Sequence, residues 1–136
     1  MAGTVSKPIF VKDGQYLSLT ADNAITLGQF VKLTTTGCDV AGAGDDAIGV
    51  AVGGNRFSRT ATDNTIAAGQ KVTVCTRGIV NVYTDTSAIT PGTYVKPGAA
   101  GIAIAGANTS FQTAQGIALE ANGSAAATIM VKLLRG

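Results

Sequence analysis

Histidine and tryptophan are absent from this chain of 136 residues, and glutamate occurs once, as Glu120. Without histidine the chain lacks the side chain that most often serves as general base and metal ligand near neutral pH. Only 5% of residues are aromatic, so broad stacking platforms are scarce. Charged residues make up 13% of the chain, about half the usual share. A lone monomer usually carries more charge than this, so the surface is expected to be covered in part by partners. The ten Lys and Arg residues are scattered. No basic stripe marks a phosphate backbone, and nucleic-acid binding is not expected. No stretch approaches the roughly 18 apolar residues of a membrane span. The first residues hold one lysine and no apolar core, so no secretory signal is expected either. Two cysteines, Cys38 and Cys75, form no CxxC pair. Two cysteines can bridge, but outside a secretory context the expected state is two reduced, small, partly buried side chains.

What the chain has instead is alanine, valine, isoleucine and 18 glycines. Small side chains and frequent glycine favour close backbone packing and many turns. The length fits one domain with its own core. Residues 1–12, "MAGTVSKPIFVK", read as an extended arm, because Pro8 disfavours helical geometry at Lys7. Residues 13–136 then form a single β domain. In "QYLSLTA", Leu17 and Leu19 share one face and Tyr16, Ser18 and Thr20 the other, the alternation of a half-buried strand. Residues 48–52 are a continuous apolar run, and residues 53–65, "GGNRFSRTATDNT", read as a polar loop. "KVTVCT" and "IVNVYTD" alternate on either side of Arg77-Gly78 and predict a hairpin with a tight turn there. The last strand, "ATIMVKLL", turns Ala127, Ile129, Val131 and Leu133 to one face, after a turn at Asn122-Gly123. Helical periodicity is missing throughout. The best helical candidate is a single turn at residues 86–89, capped by Thr86 or Ser87. The pattern predicts a mainly β fold of eight to ten short strands, a small barrel or sandwich.

One phrase is written twice. "ITLGQFVKLT" at 25–34 and "ITPGTYVKPG" at 89–98 share Ile, Thr, Gly, Val and Lys at matching positions, with Phe30 answered by Tyr94. A weaker echo, "IAAGQKVTVCTRG", starts at Ile66. Each has the form Ile-x-x-Gly-x-x-Val. Gly28, Gly69 and Gly92 are expected to supply the positive φ of a turn, and the valine three residues later begins an inward face. The spacing is too irregular for a solenoid, so the repeat predicts a reused turn-and-strand unit.

Groups for catalysis are sparse. Glu120 lies among apolar residues at a strand end, where a solvated carboxylate is expected more than a raised-pKa acid. Asp45-Asp46 is an adjacent acidic pair in "GAGDDAIG", with too few oxygen ligands at the right spacing for calcium. That loop also lacks the Gly-Lys-Ser/Thr ending of a phosphate-binding loop. Arg77 is the one candidate activator of Cys75. No catalytic constellation emerges, and no enzyme activity, cofactor or metal is expected.

In order along the chain, "VKDGQYLSLTADNAITLGQFVKL", "DDAIGVAV", "AAGQKVTVCTRGIVNVYTD", "ITPGTYVKPGAAG" and "AQGIALEANGSAAATIMVKL" resemble the capsid decoration, or cement, proteins of tailed bacteriophages. The resemblance runs from about Val11 to Leu133. It implies a small β-barrel or β-tulip-like domain behind an extended N-terminal arm. It implies a structural protein of the virion, made in the host cytoplasm and bound to the outer surface of the major capsid protein lattice. There it would act as a homotrimer or a dimer that stabilises the head. The loop at 53–65 is longer than in the short form of the family. Candidate capsid or subunit contacts are Ile9, Phe10 and Val11, by strand addition, and Arg56, Phe57 and Arg59, because arginine and aromatic residues concentrate binding energy. A carbohydrate-binding or adhesive β-module is the alternative reading, one that needs exposed aromatic rings.

Overall fold

The structure, a computed structural model, describes residues 15–54, 64–106 and 115–134. They form a mainly β fold, as expected, with eleven strands among the described residues. These are β1 (Gln15–Thr20), β2 (Ile25–Thr26), β3 (Phe30–Leu33), β4 (Cys38–Val40), β5 (Gly49–Gly54) and β6 (Thr65–Ile66) in the first half. The second half adds β7 (Lys71–Thr84), β8 (Tyr94–Pro97), β9 (Ala103–Ala105), β10 (Gly116–Ala118) and β11 (Ala127–Leu133). The two-residue strands β2 and β6 take the count above the expected eight to ten.

The repeated phrase is a repeated turn. Thr26 O accepts from Gln29 N, Ala67 O from Gln70 N and Thr90 O from Thr93 N, at 3.1–3.2 Å. Gly28, Gly69 and Gly92 take φ of 96°, 84° and 86° at the third position of these turns. That hydrogen bond with a positive φ at the third residue is the type II signature, and Pro91 occupies the position proline prefers. Each turn is preceded by a buried isoleucine (Ile25, Ile66, Ile89) and followed by a buried valine (Val31, Val72, Val95). Two copies also clasp each other, because β2 pairs β6 with Ile25 opposite Ile66.

The 14-residue strand β7 joins two halves of the fold. The expected hairpin at Arg77-Gly78 does not form. The chain runs through this point as one strand, with Gly78 at φ 120°. The reason lies in its partners. Residues 71–77 pair with β1 and β5, whereas residues 78–84 pair with β11 and Thr84 meets β9. Glycine permits the change of direction that lets one strand serve two sheets.

The second half of β7 belongs to a closed five-stranded barrel, ordered β7-β9-β8-β10-β11 and back to β7. Val80, Val82, Val95, Ile129 and Val131 of its strands share one buried cluster with Phe30 of β3. Closure leaves these strands no free edge. The predicted inward face of β11 holds, with Ile129, Val131 and Leu133 buried and Ala127 half-buried. The first half of β7 lies in the order β1-β7-β5-β3-β4, around a second cluster that includes Ile25, Val31, Cys38, Val72 and Val74. Adjacent residues feed different cores: Phe30 and Val31 on β3, and Val50 and Ala51 on β5. This explains why residues 48–52 read as a continuous apolar run, for β5 is covered on both faces.

The helical turn expected at residues 86–89 is absent. Asp85 Oδ1 instead accepts from Ser87 N at 2.9 Å, a side-chain turn that satisfies the backbone without a helix. The short helical element that does form is a 3₁₀ turn at Ala99–Gly101. β1 departs from expectation as well. Its first four residues are exposed on both faces, and Leu17 is 46% exposed.

Candidate functional site

The carboxylates are occupied in building loops. Asp22 accepts from Thr34 Oγ1 at 2.6 Å and Thr36 Oγ1 at 2.7 Å. The Thr34 bond and then the Thr36 bond hold its pKa below the usual carboxylate value. Asp45 accepts from Gly42 N at 2.8 Å and from Lys32 Nζ at 3.1 Å. The Gly42 bond first, and Lys32 after it, lower its pKa too. Glu120 Oε1 accepts from Met130 N at 2.9 Å, bracing the β10–β11 hairpin. The "GAGDDAIG" loop leads into β5, not a helix, so it has no phosphate-cradling helix start. No cluster of three or more Cys, Asp or Glu side chains suited to a metal exists among the described residues.

The Asp22 bonds carry a pH dependence. A carboxylate whose folded pKa is depressed contributes stability above its unfolded pKa and loses it as pH falls through the folded value. Asp22→Asn is therefore expected to lower the melting temperature at pH 7. It should also flatten the decline on the acid side, below pH 4, in thermal melts recorded from pH 7 to pH 2.

The cysteines are free and fully buried. They sit in different clusters, Cys38 in the β1–β4 half and Cys75 against the barrel. Burial pushes both thiols up, with the Asp22 and Asp39 charges adding to the effect at Cys38 and a backbone contact to Arg77 partly offsetting it at Cys75. The suggested activation of Cys75 by Arg77 is thus overturned. Cys75 Sγ lies 3.0 Å from the Arg77 carbonyl oxygen, and its pKa moves away from the thiolate. Both thiols should react with a disulfide reagent on the order of a hundredfold more slowly in the native protein than in guanidinium, because thiolate and access are both lacking. Rapid labelling of one thiol in the native state would contradict this packing.

An apolar groove of about 730 Å³ opens beside the start of β1. Gln15, Tyr16 and Leu17 line it together with Asp46, Ala47 and Ile48 and with Thr76 of β7. Thr76 Oγ1 donates to Gln15 O at 3.3 Å, tying β7 to the start of β1. Tyr16 is 38% exposed and Leu17 46%. Of the three tyrosines, Tyr83 lies against Gly28 and Tyr94 is half-buried in the barrel strand β8. The described residues therefore offer no paired aromatic platform for a sugar.

The sequence-derived contact candidates Ile9, Phe10, Val11, Arg56, Phe57 and Arg59 lie outside the described residues. Their points of attachment are described. Gln15, the first described residue, faces Arg77, and Gly54, the last described residue before position 55, faces Val72. Five residues of β7 separate these points, about 17 Å along a strand. The two segments thus leave from well-separated positions on one sheet. Alternation implies a half-buried strand here, whereas Tyr16 and Leu17 at the start of β1 are exposed; a strand end free of charge is the signal in the sequence for such a surface.

The model of the structural cement protein family (E217 gp24/Pam3 gp6) matches residues 4–134. The chain belongs to the phage structural cement protein family. It is accordingly a structural protein of the virion capsid, and it binds the capsid. No curated protein matches the sequence. Among solved structures, the chain resembles the N base of the head fiber gp8.5 of bacteriophage phi29. That likeness has a TM-score of 0.55 at 17% identity and covers 90% of this chain and 96% of that one. At that identity it speaks to the fold of this cement protein alone.

Proposed function

We propose that this cement protein binds the outer surface of the major capsid protein lattice as a homo-oligomer and clamps neighbouring capsid subunits without catalysing a reaction. The observation that carries the reading is the family match over residues 4–134. The closed barrel and its tight type II turns suit it, because a stiff body loses little freedom on docking. A standard stable interface buries around 1,600 Å² in total, and a lattice position offers contacts to several subunits. Residues 1–12 act as an arm that reaches a neighbour through Ile9, Phe10 and Val11, and Arg56, Phe57 and Arg59, from the stretch read as a loop at 53–65, add a second anchor. The body of the domain, residues 13–136, carries both.

Co-sedimentation with expanded capsids lacking the protein tests this reading, with imaging of the pellet. Saturable binding at regular lattice points is expected, with a copy number that reveals the oligomer. Removing residues 1–12, or substituting Arg56, Phe57 and Arg59 together by alanine, should each weaken binding at least about tenfold, a loss of about 1.4 kcal/mol. Absence of binding by the folded, full-length chain would sink the proposal.

A further inference from the structure

We propose that Asn122-Gly123 is a site of covalent modification by water, an asparagine deamidation site that the fold keeps shut. The chain converts there when the tip of the β10–β11 hairpin opens, and the conversion bars its return. Of the six asparagines, Asn122 alone is followed by glycine. Glycine leaves its backbone nitrogen unshielded by a side chain. Once that nitrogen has given its proton to hydroxide, it attacks Asn122 Cγ. A bond forms between Gly123 N and Cγ, the Cγ–Nδ2 bond breaks, and Nδ2 takes a proton from water and leaves as ammonia. Water then adds to either carbonyl carbon of the succinimide and opens the ring, to aspartate or to isoaspartate. The net exchange is water in and ammonia out, with nothing oxidised or reduced.

The folded geometry blocks the first step. Attack needs the face of the side-chain amide turned to Gly123 N. Oδ1 accepts from Ile89 N and Ser124 N, and Nδ2 donates to the Asp85 and Ser87 carbonyls. Turning the amide breaks these bonds, and the side chain is buried away from base and water. The backbone is held as well. Asn122 O accepts from Ala125 N at 3.3 Å, across Gly123 and Ser124 at φ 68° and 57°. Positive φ at both central residues is the type I′ pattern.

Either product destroys this arrangement. Aspartate sets an oxygen against the Asp85 and Ser87 carbonyls where a donor stood. Isoaspartate routes the main chain through Cβ and lengthens the turn, which disturbs the step from β10 into β11. An opening that is reversible by itself thereby becomes permanent, because the opened state is altered before it closes again.

The test holds the full-length chain at pH 8, one sample native and one in guanidinium, and follows residue 122 by peptide mass spectrometry. Conversion should run about tenfold or more faster in the unfolded sample, and there ahead of every other asparagine. Aliquots returned to native buffer should lose refolding yield in step with conversion. A sample unfolded for the same time at pH 5, where the glycine nitrogen keeps its proton, should refold undiminished. Gly123→Ala adds a methyl group that meets nothing within 4 Å in the fold. In guanidinium that methyl stands beside the attacking nitrogen and should slow conversion about tenfold. Equal rates in native and unfolded samples would overturn the proposal. So would earlier conversion at a different asparagine, or converted chains that refold as well as unconverted ones.

Discussion

Asn122→Ala is expected to lower the unfolding free energy by about 3–5 kcal/mol, because it strips partners from several buried groups at once. Asn122 is 6% exposed and sits at the tip of the β10–β11 hairpin. Its Oδ1 accepts from Ile89 N and Ser124 N, each at 3.0 Å. Its Nδ2 donates to Ser87 O at 2.7 Å and Asp85 O at 3.1 Å, with Thr84 Oγ1 at 3.3 Å. One side chain thus clips the hairpin tip to the stretch between β7 and the third type II turn. Alanine would leave the buried Ile89 N–H without this acceptor and would open room beside it. Asn122→Asp is a sharper probe. It keeps the acceptor but turns a donor into a second oxygen facing the Ser87 and Asp85 carbonyls, so it should destabilise more at pH 7 than at pH 4. Urea unfolding at both pH values measures this, and a loss below about 1 kcal/mol for Asn122→Ala would show the clip to be dispensable.

Gly49→Ala should cost about 3 kcal/mol or more, at the upper end for overpacking, because the clash is with backbone. A methyl group at Gly49 would run into the Cys75 carbonyl oxygen, with the Cys75 carbonyl carbon at 2.8 Å and Thr76 Cα at 3.0 Å. No rotamer change relieves a contact between a Cβ and a neighbouring strand. β5 must move off β7 just where Val50 faces Cys75, and both cores meet there. Gly44→Ala is the control. Gly44 has φ 83°, yet nothing lies within 4 Å of its added Cβ, so only the left-handed conformation is penalised, by about 1 kcal/mol. In thermal melts the Gly49 variant should fall by about 10 °C or more and the Gly44 variant by about a third of that. Equal shifts would mean that conformation, not contact, sets the cost at Gly49.

The parts of this fold legible in the sequence are those decided within a few residues. The Ile-x-x-Gly-x-x-Val phrase announced three type II turns, because four consecutive residues set such a turn and glycine supplies its positive φ. The alternation of Ile129, Val131 and Leu133 announced an inward strand face. The order of weak motifs along the chain pointed to the cement family, and with it to a structural role. Two misreadings show the limit. Arg77-Gly78 has the look of a hairpin turn, and the alternation on either side is real. Gly78 instead bends one strand between two sheets, since the partners of residues 71–77 and 78–84 come from opposite ends of the chain. Leu17 alternates as an inward residue, but nothing among the described residues covers it.

By itself, then, the sequence determined the three glycine turns, the inward face of the last strand and the family to which the chain belongs. Only the tertiary structure decided that β11 closes a barrel on β7 and that β3 and β5 divide two cores. It also decided that an apolar groove lies beside the start of β1. Turn geometry depends on local φ and ψ, which each residue type biases directly. Strand pairing depends on which of many similar edges meet across tens of residues, and small aliphatic side chains make those edges nearly alike until the whole core packs.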